Sequence, residues 1–104
     1  AKEVSRLKLQ QRLEEATLLE IRNRLEKERL EKASQLAVQR KSYHLSEENL
    51  AMSEQNLEAA QMQYEKEYIL QQELLSEQLK AQLARQSYLQ AAYDLFTGLV
   101  TMKH

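Results

Sequence analysis

Apolar residues return every seven positions at Leu36, Tyr43, Leu50, Leu57 and Tyr64. A strict heptad of this kind turns one apolar stripe toward a partner helix. A second heptad runs through Val38, Leu45, Met52 and Ala59. It is displaced by two residues, and so by ~200° around the helix at ~100° per residue. The predicted helix therefore has seams on opposite sides. A two-stranded coiled coil needs one seam, whereas a helix flanked on both sides, as in a sheet of helices closed into a barrel, needs two. Upstream, Val4, Leu7, Leu18, Ile21 and Leu25 fit one seam, and Leu9, Ala16 and Leu30 fit another. From Leu25 the first seam resumes at Leu36, a longer step that locally relaxes a left-handed supercoil and marks a change of partner.

The final third has its own register. Leu75, Leu79, Gln82, Gln86, Leu89, Tyr93, Phe96 and Val100 follow alternating four and three spacing. Leu74, Ala81, Tyr88, Leu95 and Met102 form a further seven-residue series, and Ala84, Ala91 and Gly98 supply small residues that let another helix approach closely. This face is expected to be broad and mostly buried. The two registers meet at Glu65-Lys-Glu-Tyr-Ile-Leu-Gln-Gln72, where neither continues cleanly. A turn belongs there, although no Gly, Asn or Asp offers a left-handed residue. Local propensity alone would permit one continuous helix of about 150 Å, at ~1.5 Å per residue.

Composition sharpens the helical reading. The 104 residues hold one Gly (Gly98) and no Pro, Cys or Trp, so turn punctuation is nearly absent. Straight-chain and small residues dominate, and these lose little side-chain freedom in a helix. A globular fold would need several loops that the sequence does not supply, which implies an elongated, all-α molecule.

Charge excludes one class of partner. The formal net charge is -1, with acidic and basic residues interspersed, which is no nucleic-acid footprint. Glu20 with Arg24 and Glu28 with Lys32 are four-residue pairs worth about 0.2 to 0.5 kcal/mol each on an exposed helix. Leu95 to Met102 falls far short of the ~20 apolar residues that span a bilayer, and no leader-type stretch opens the sequence. The strong helical pattern at both ends suggests a segment of a longer protein. Lack of Cys removes disulfides and thiolate metal sites without choosing a compartment.

No constellation of residues points to catalysis or a cofactor. His44 has no second His, Asp or Cys at metal-ligand spacing and reads as a surface residue. Glu73 and Asp94 lie ~31 Å apart along one helix, too far for an acid–base pair. Ser, His and Asp on a helical rod do not converge in a pocket that excludes water, so the sequence reads as a non-enzyme. Tyr43, Tyr64, Tyr68, Tyr88 and Tyr93 read as seam residues with a polar edge. The Thr17-x-x-Glu20 spacing imitates a capping box but sits inside continuous periodicity.

One stretch carries a resemblance. Tyr64-Glu-Lys-Glu-Tyr-Ile-Leu-Gln-Gln-Glu-Leu-Leu-Ser-Glu-Gln78, followed by Ala84-Arg-Gln-Ser-Tyr-Leu-Gln-Ala-Ala-Tyr-Asp94, resembles the C-terminal half of TolC-like outer-membrane efflux proteins. Ser46 to Tyr64 is similar to the long helix that precedes the periplasmic turn in that family, so the likeness covers essentially the whole chain. It implies a long antiparallel coiled-coil hairpin over 1–104: a helix of about 3–66, a reversal near 67–71 and a shorter helix of about 72–103. The shorter arm would cover Leu36 to Tyr64 and leave Val4 to Leu30 without that partner. The resemblance further implies a place in the periplasmic helical barrel of a homotrimeric outer-membrane channel of a Gram-negative bacterium. Its partners would be a periplasmic adaptor and an inner-membrane pump. Glu73 matches the first of two acidic residues near the family's pore entrance, while Ser76 stands at the second and Glu67 stands where the turn usually has Gly. A Glu in the first turn of a helix is also favoured by the helix dipole. The rival expectations are a scaffolding coiled coil that forms a continuous dimeric rod, and the hairpin of a periplasmic adaptor, whose two arms should be similar in length.

Overall fold

The computed structural model describes residues 2–103, with the side chains of Met102 and Lys103 outside the described set. Helix α1 runs Lys2–Glu65 and helix α2 runs Gln71–Lys103, 64 and 33 residues long. The chain reverses between them and α2 packs back on α1 as an antiparallel hairpin, with no strand among the described residues. One long and one shorter helix form the hairpin, and the single continuous helix that local propensity permits is not formed. Glu3 and Glu73 occupy the first turns of the two helices, where their charge meets the positive end of the helix dipole.

The chain divides into two compact units, Ala1–Ser34 and Gln35–His104. The first is α1 alone over its described residues, and every one of their side chains is exposed, including Leu7, Leu18 and Leu25. Thr17 donates its hydroxyl to the Leu13 carbonyl at 2.9 Å. That is a bond along a continuing helix, so the Thr17-x-x-Glu20 spacing is no cap. Arg29 donates to both carboxylate oxygens of Glu26, at 2.6 and 3.3 Å. This three-residue pair, rather than the two four-residue pairs expected, is the close ion pair of this unit among the described residues.

The second unit is the hairpin. From α1, Leu36, Gln39, Tyr43, Ser46, Leu50, Ser53, Leu57 and Ala60 are half-buried or buried, spaced alternately three and four. From α2 the matching stripe is Leu74, Glu77, Ala81, Ala84, Tyr88, Ala91, Leu95 and Gly98. Two such stripes meeting face to face make a coiled-coil seam. Met102, the last member of the Leu74 series, lies outside the described side chains. The deepest positions are Ala60, Ala81, Ala84 and Ala91, all below 9% exposed.

Three expectations are corrected. The α2 series Leu75, Leu79, Leu89, Tyr93, Phe96 and Val100 does not enter the seam; its members are 42–66% exposed. The competing face wins because its alanines and Gly98 let the backbones come close. A Cβ at Gly98 would strike the Gln39 side chain, and Leu36 Cδ1 would lie 3.6 Å from it. The expected broad burial of α2 is accordingly reduced to one narrow stripe. On α1 the seam ends at Ala60, and Tyr64 is exposed because the chain is already turning and α2 starts only at Gln71. Val38, Leu45 and Met52, the opposed heptad, are also exposed within this chain.

Sizes alternate across the seam. Gly98 lies against Leu36 and Gln39, and counting heptads from that contact places Leu50 opposite Ala84 and Ala60 opposite Leu74. Large against small is how facing layers interdigitate without voids.

The reversal has a definite geometry. The Tyr68 amide donates to the Gln63 carbonyl at 2.8 Å, and the Glu67 amide donates to Tyr64 at 3.0 Å. This pair of bonds is the Schellman motif, which satisfies the last carbonyls of a helix by placing one residue in the left-handed region. Here that residue is Glu67, with φ 63°. The Leu70 carbonyl then accepts from Glu73 and Leu74 at 3.0 and 3.2 Å, which makes Leu70 the N-cap of α2. Leucine has no side-chain acceptor for this task.

Candidate functional site

Chemistry-bearing side chains fall into three places on the hairpin. The first is a shallow open groove along one side of the seam beside the turn, lined by Asn56, Ala59, Gln63, Ile69, Glu73, Ser76 and Glu77. Glu73, the candidate entrance residue, is exposed on the first turn of α2, and Ser76 lines the same groove three residues on. Glu77 stands one turn beyond Glu73, with Lys80 Nζ 3.5 Å from its Oε1. The groove thus presents two carboxylates, one of them partnered by a lysine, among amide and hydroxyl groups. A neighbouring groove continues along the same side past Asn49, Met52, Lys80, Leu83 and Ser87. Both are open to water, so neither provides the enclosed, low-dielectric setting that catalysis of polar reactions exploits.

The second place is within the seam. The Tyr43 and Tyr88 hydroxyls lie 3.2 Å apart, with ring centroids 5.5 Å apart and planes tilted by 34°. The hydrogen bond to Tyr88 and the charge Tyr88 would carry, then partial burial and Glu47, all oppose ionisation of the Tyr43 hydroxyl, so it titrates above its ordinary value. Ser46 donates to the Tyr43 carbonyl at 2.7 Å, which keeps its hydroxyl satisfied inside the seam.

The third is the outer surface. His44 lies 3.4 Å from Glu48 one turn along α1, and both are exposed. Asp94 accepts a hydrogen bond from Gln90 at 2.9 Å, and Arg85 reaches across from α2 to Glu54 at 3.5 Å. Among the described residues no cluster of three His, Asp or Glu side chains could hold a metal ion. No described helix is long and apolar enough to cross a membrane.

Among the seam residues expected from sequence, Leu36, Tyr43, Leu50 and Leu57 come together with α2, whereas Tyr64, Val38, Leu45 and Met52 do not. The six from the α2 series line an outward face instead. Sequence reasoning missed the facing of Tyr43 and Tyr88; the signal was present, since both belong to heptads that become the two halves of one seam. Glu77 was missed because a charge at a seam position looks like a solvated residue. Comparison of the chain with models of known families, with curated proteins and with solved structures gives no match.

Proposed function

We propose that this chain is a non-catalytic wall segment of the periplasmic helical barrel of a trimeric, TolC-like outer-membrane channel. One observation carries the reading. After the hairpin has closed, a largely apolar face remains on α2, from Leu75 to Val100 and interrupted at Gln82 and Gln86, and an apolar heptad remains on α1 at Val38, Leu45 and Met52. Apolar stripes left over on a hairpin are what a helix needs when further helices stand beside it, and exposed apolar area of this kind marks an interaction surface. The exposed leucines of residues 2–34 fit the same picture, as a further apolar surface for a neighbouring helix. In the barrel, conserving the seam while exchanging side neighbours would let hairpins shift and widen the entrance. A periplasmic adaptor and an inner-membrane pump would be its further partners.

Cysteines at Leu45 and Leu89, oxidised in the intact bacterial envelope, test this reading. It expects disulfide-linked trimers in the outer-membrane fraction, and envelope-wide absence of inter-chain links at both faces overturns it. The entrance role of Glu73 has its own test: Glu73→Gln should lower cation selectivity of the reconstituted channel, and unchanged conductance and selectivity would remove that role.

The adaptor hairpin is less well supported, since its arms should match and these are 64 and 33 residues long. Scaffolding by a continuous dimeric rod requires the turn to be absent in the working state.

A further inference from the structure

The turn between α1 and α2 is poorly suited to being a turn. Its left-handed position is held by Glu67, the one non-glycine residue with positive φ among those described. Side chains with a Cβ occupy that region at a cost that Gly avoids. The N-cap of α2 is Leu70, which offers no acceptor, and both Leu70 and Tyr68 are largely exposed, so half-buried Ile69 is the apolar side chain of the loop that packs on the hairpin. The residues from Glu65 to Gln72 include several good helix formers, neither Gly nor Pro among them. Short hinges under strain are the ones that open to exchange an element between copies.

The seam permits the exchange. Ala60 ends the α1 stripe and Leu74 opens that of α2. Continued as helix, the stripe would pass Tyr64, Glu67 and Gln71 before reaching Leu74, with a single three-residue slip in the heptad there. Such a slip displaces the stripe by only about 50° and is absorbed by local overwinding. An opened chain would therefore carry its α1 and α2 stripes on the same side of one helix.

We propose that this chain forms a domain-swapped dimer with a second copy of itself, in which the hinge at Glu67 straightens and each α2 packs on the partner's α1. The swapped pair is antiparallel and centred near Glu67. It rebuilds every seam contact of the closed hairpin between copies, including Tyr43 with Tyr88 and Arg85 with Glu54, and it releases two left-handed residues. This inference rests on the hinge and the seam; the opened dimer is a state of the chain distinct from the closed hairpin that the channel reading uses.

The chain has no native cysteine, so spin labels can be placed by Glu54→Cys and Arg85→Cys, an exposed pair whose loss changes stability little. The labelled chain is unfolded with a large excess of unlabelled chain, refolded at a series of concentrations, and its intra-chain distance measured by pulsed electron resonance. The closed hairpin gives a short distance. The opened chain separates the labels by 31 residues of helix, about 46 Å at ~1.5 Å per residue. The expected result is a long-distance population that rises with concentration and co-sediments as a dimer.

Two variants sharpen the test. Glu67→Gly relieves the hinge and weakens the straight helix, so it should lower the dimer constant on the order of a hundredfold for two hinges. Gln71→Pro is compatible with the first position of α2 but not with a helix interior, so it should abolish the long distance and leave the hairpin folded. A dimer that keeps only the short distance overturns the proposal, as does a long-distance population that survives Gln71→Pro.

Discussion

Glu67 and Tyr43 are the residues at which local chemistry and the fold pull in different directions. Glu67 meets a backbone requirement that its side chain opposes, and Glu67→Gly should stabilise the closed hairpin by about 1 kcal/mol, read from urea unfolding at a concentration where the chain is monomeric. The Tyr43 hydroxyl resists ionisation in the fold because it is hydrogen-bonded to Tyr88. Its folded value stands above the unfolded one of about 10. The stability it contributes is therefore complete below that pH and is lost as pH rises through the folded value. Helix content followed during thermal unfolding should show a falling midpoint at alkaline pH, and Tyr88→Phe should remove most of that slope. An unchanged slope in Tyr88→Phe would assign the alkaline loss elsewhere.

At the scale of the helices, the start of α2 and the depth of the seam can each be changed by one substitution. Leu70→Asp supplies the acceptor missing at the N-cap and should raise stability by about 1 kcal/mol, measured by the shift in denaturation midpoint. Ala84→Leu places a larger side chain at a position 4% exposed, and overpacking should cost about 1 to 3 kcal/mol or force the register apart. The two helices and the α1 stripe from Leu36 to Leu57 were legible in the sequence because heptads are local and long. The turn was located by the break in register, and the resemblance put Glu67 where such a turn usually has Gly, although nothing in the residue itself signals the positive φ it adopts. On α2 the Leu74 series, with Ala84, Ala91 and Gly98 as a close-approach surface, was legible beside the Leu75 series, but not which of the two would meet α1. Two apolar series competed there, and the larger side chains of the Leu75 series drew the expectation. What decided was the backbone spacing allowed by Ala81, Ala84, Ala91 and Gly98, a property of two facing helices together. The groove beside Glu73 was legible only as a list of polar residues, because its two walls come from different helices.

For the hairpin unit as a body, the apolar face left exposed on α2 is separate from the seam that closes the fold. Leu89→Glu combined with Phe96→Glu alters exposed positions and should leave hairpin stability within about 0.5 kcal/mol. The same pair should suppress association through that face, seen as a lower weight-average mass in sedimentation equilibrium. Loss of folding in the double variant would show that the face contributes to the closed unit. The layering inside the seam has a consequence for how any two such helices meet. In an antiparallel pair the first core position of one heptad faces the second core position of its partner, whereas in a parallel pair like faces like. On α1 the first core position is occupied by Leu, Tyr, Leu and Leu, and the second by Gln, Ser, Ser and Ala. Two copies of α1 laid head to head would stack bulk on bulk in one layer and hollows on hollows in the next. Side-chain volume alone thus gives the polypeptide a compass, steering a partner strand to run the opposite way before any charge is consulted.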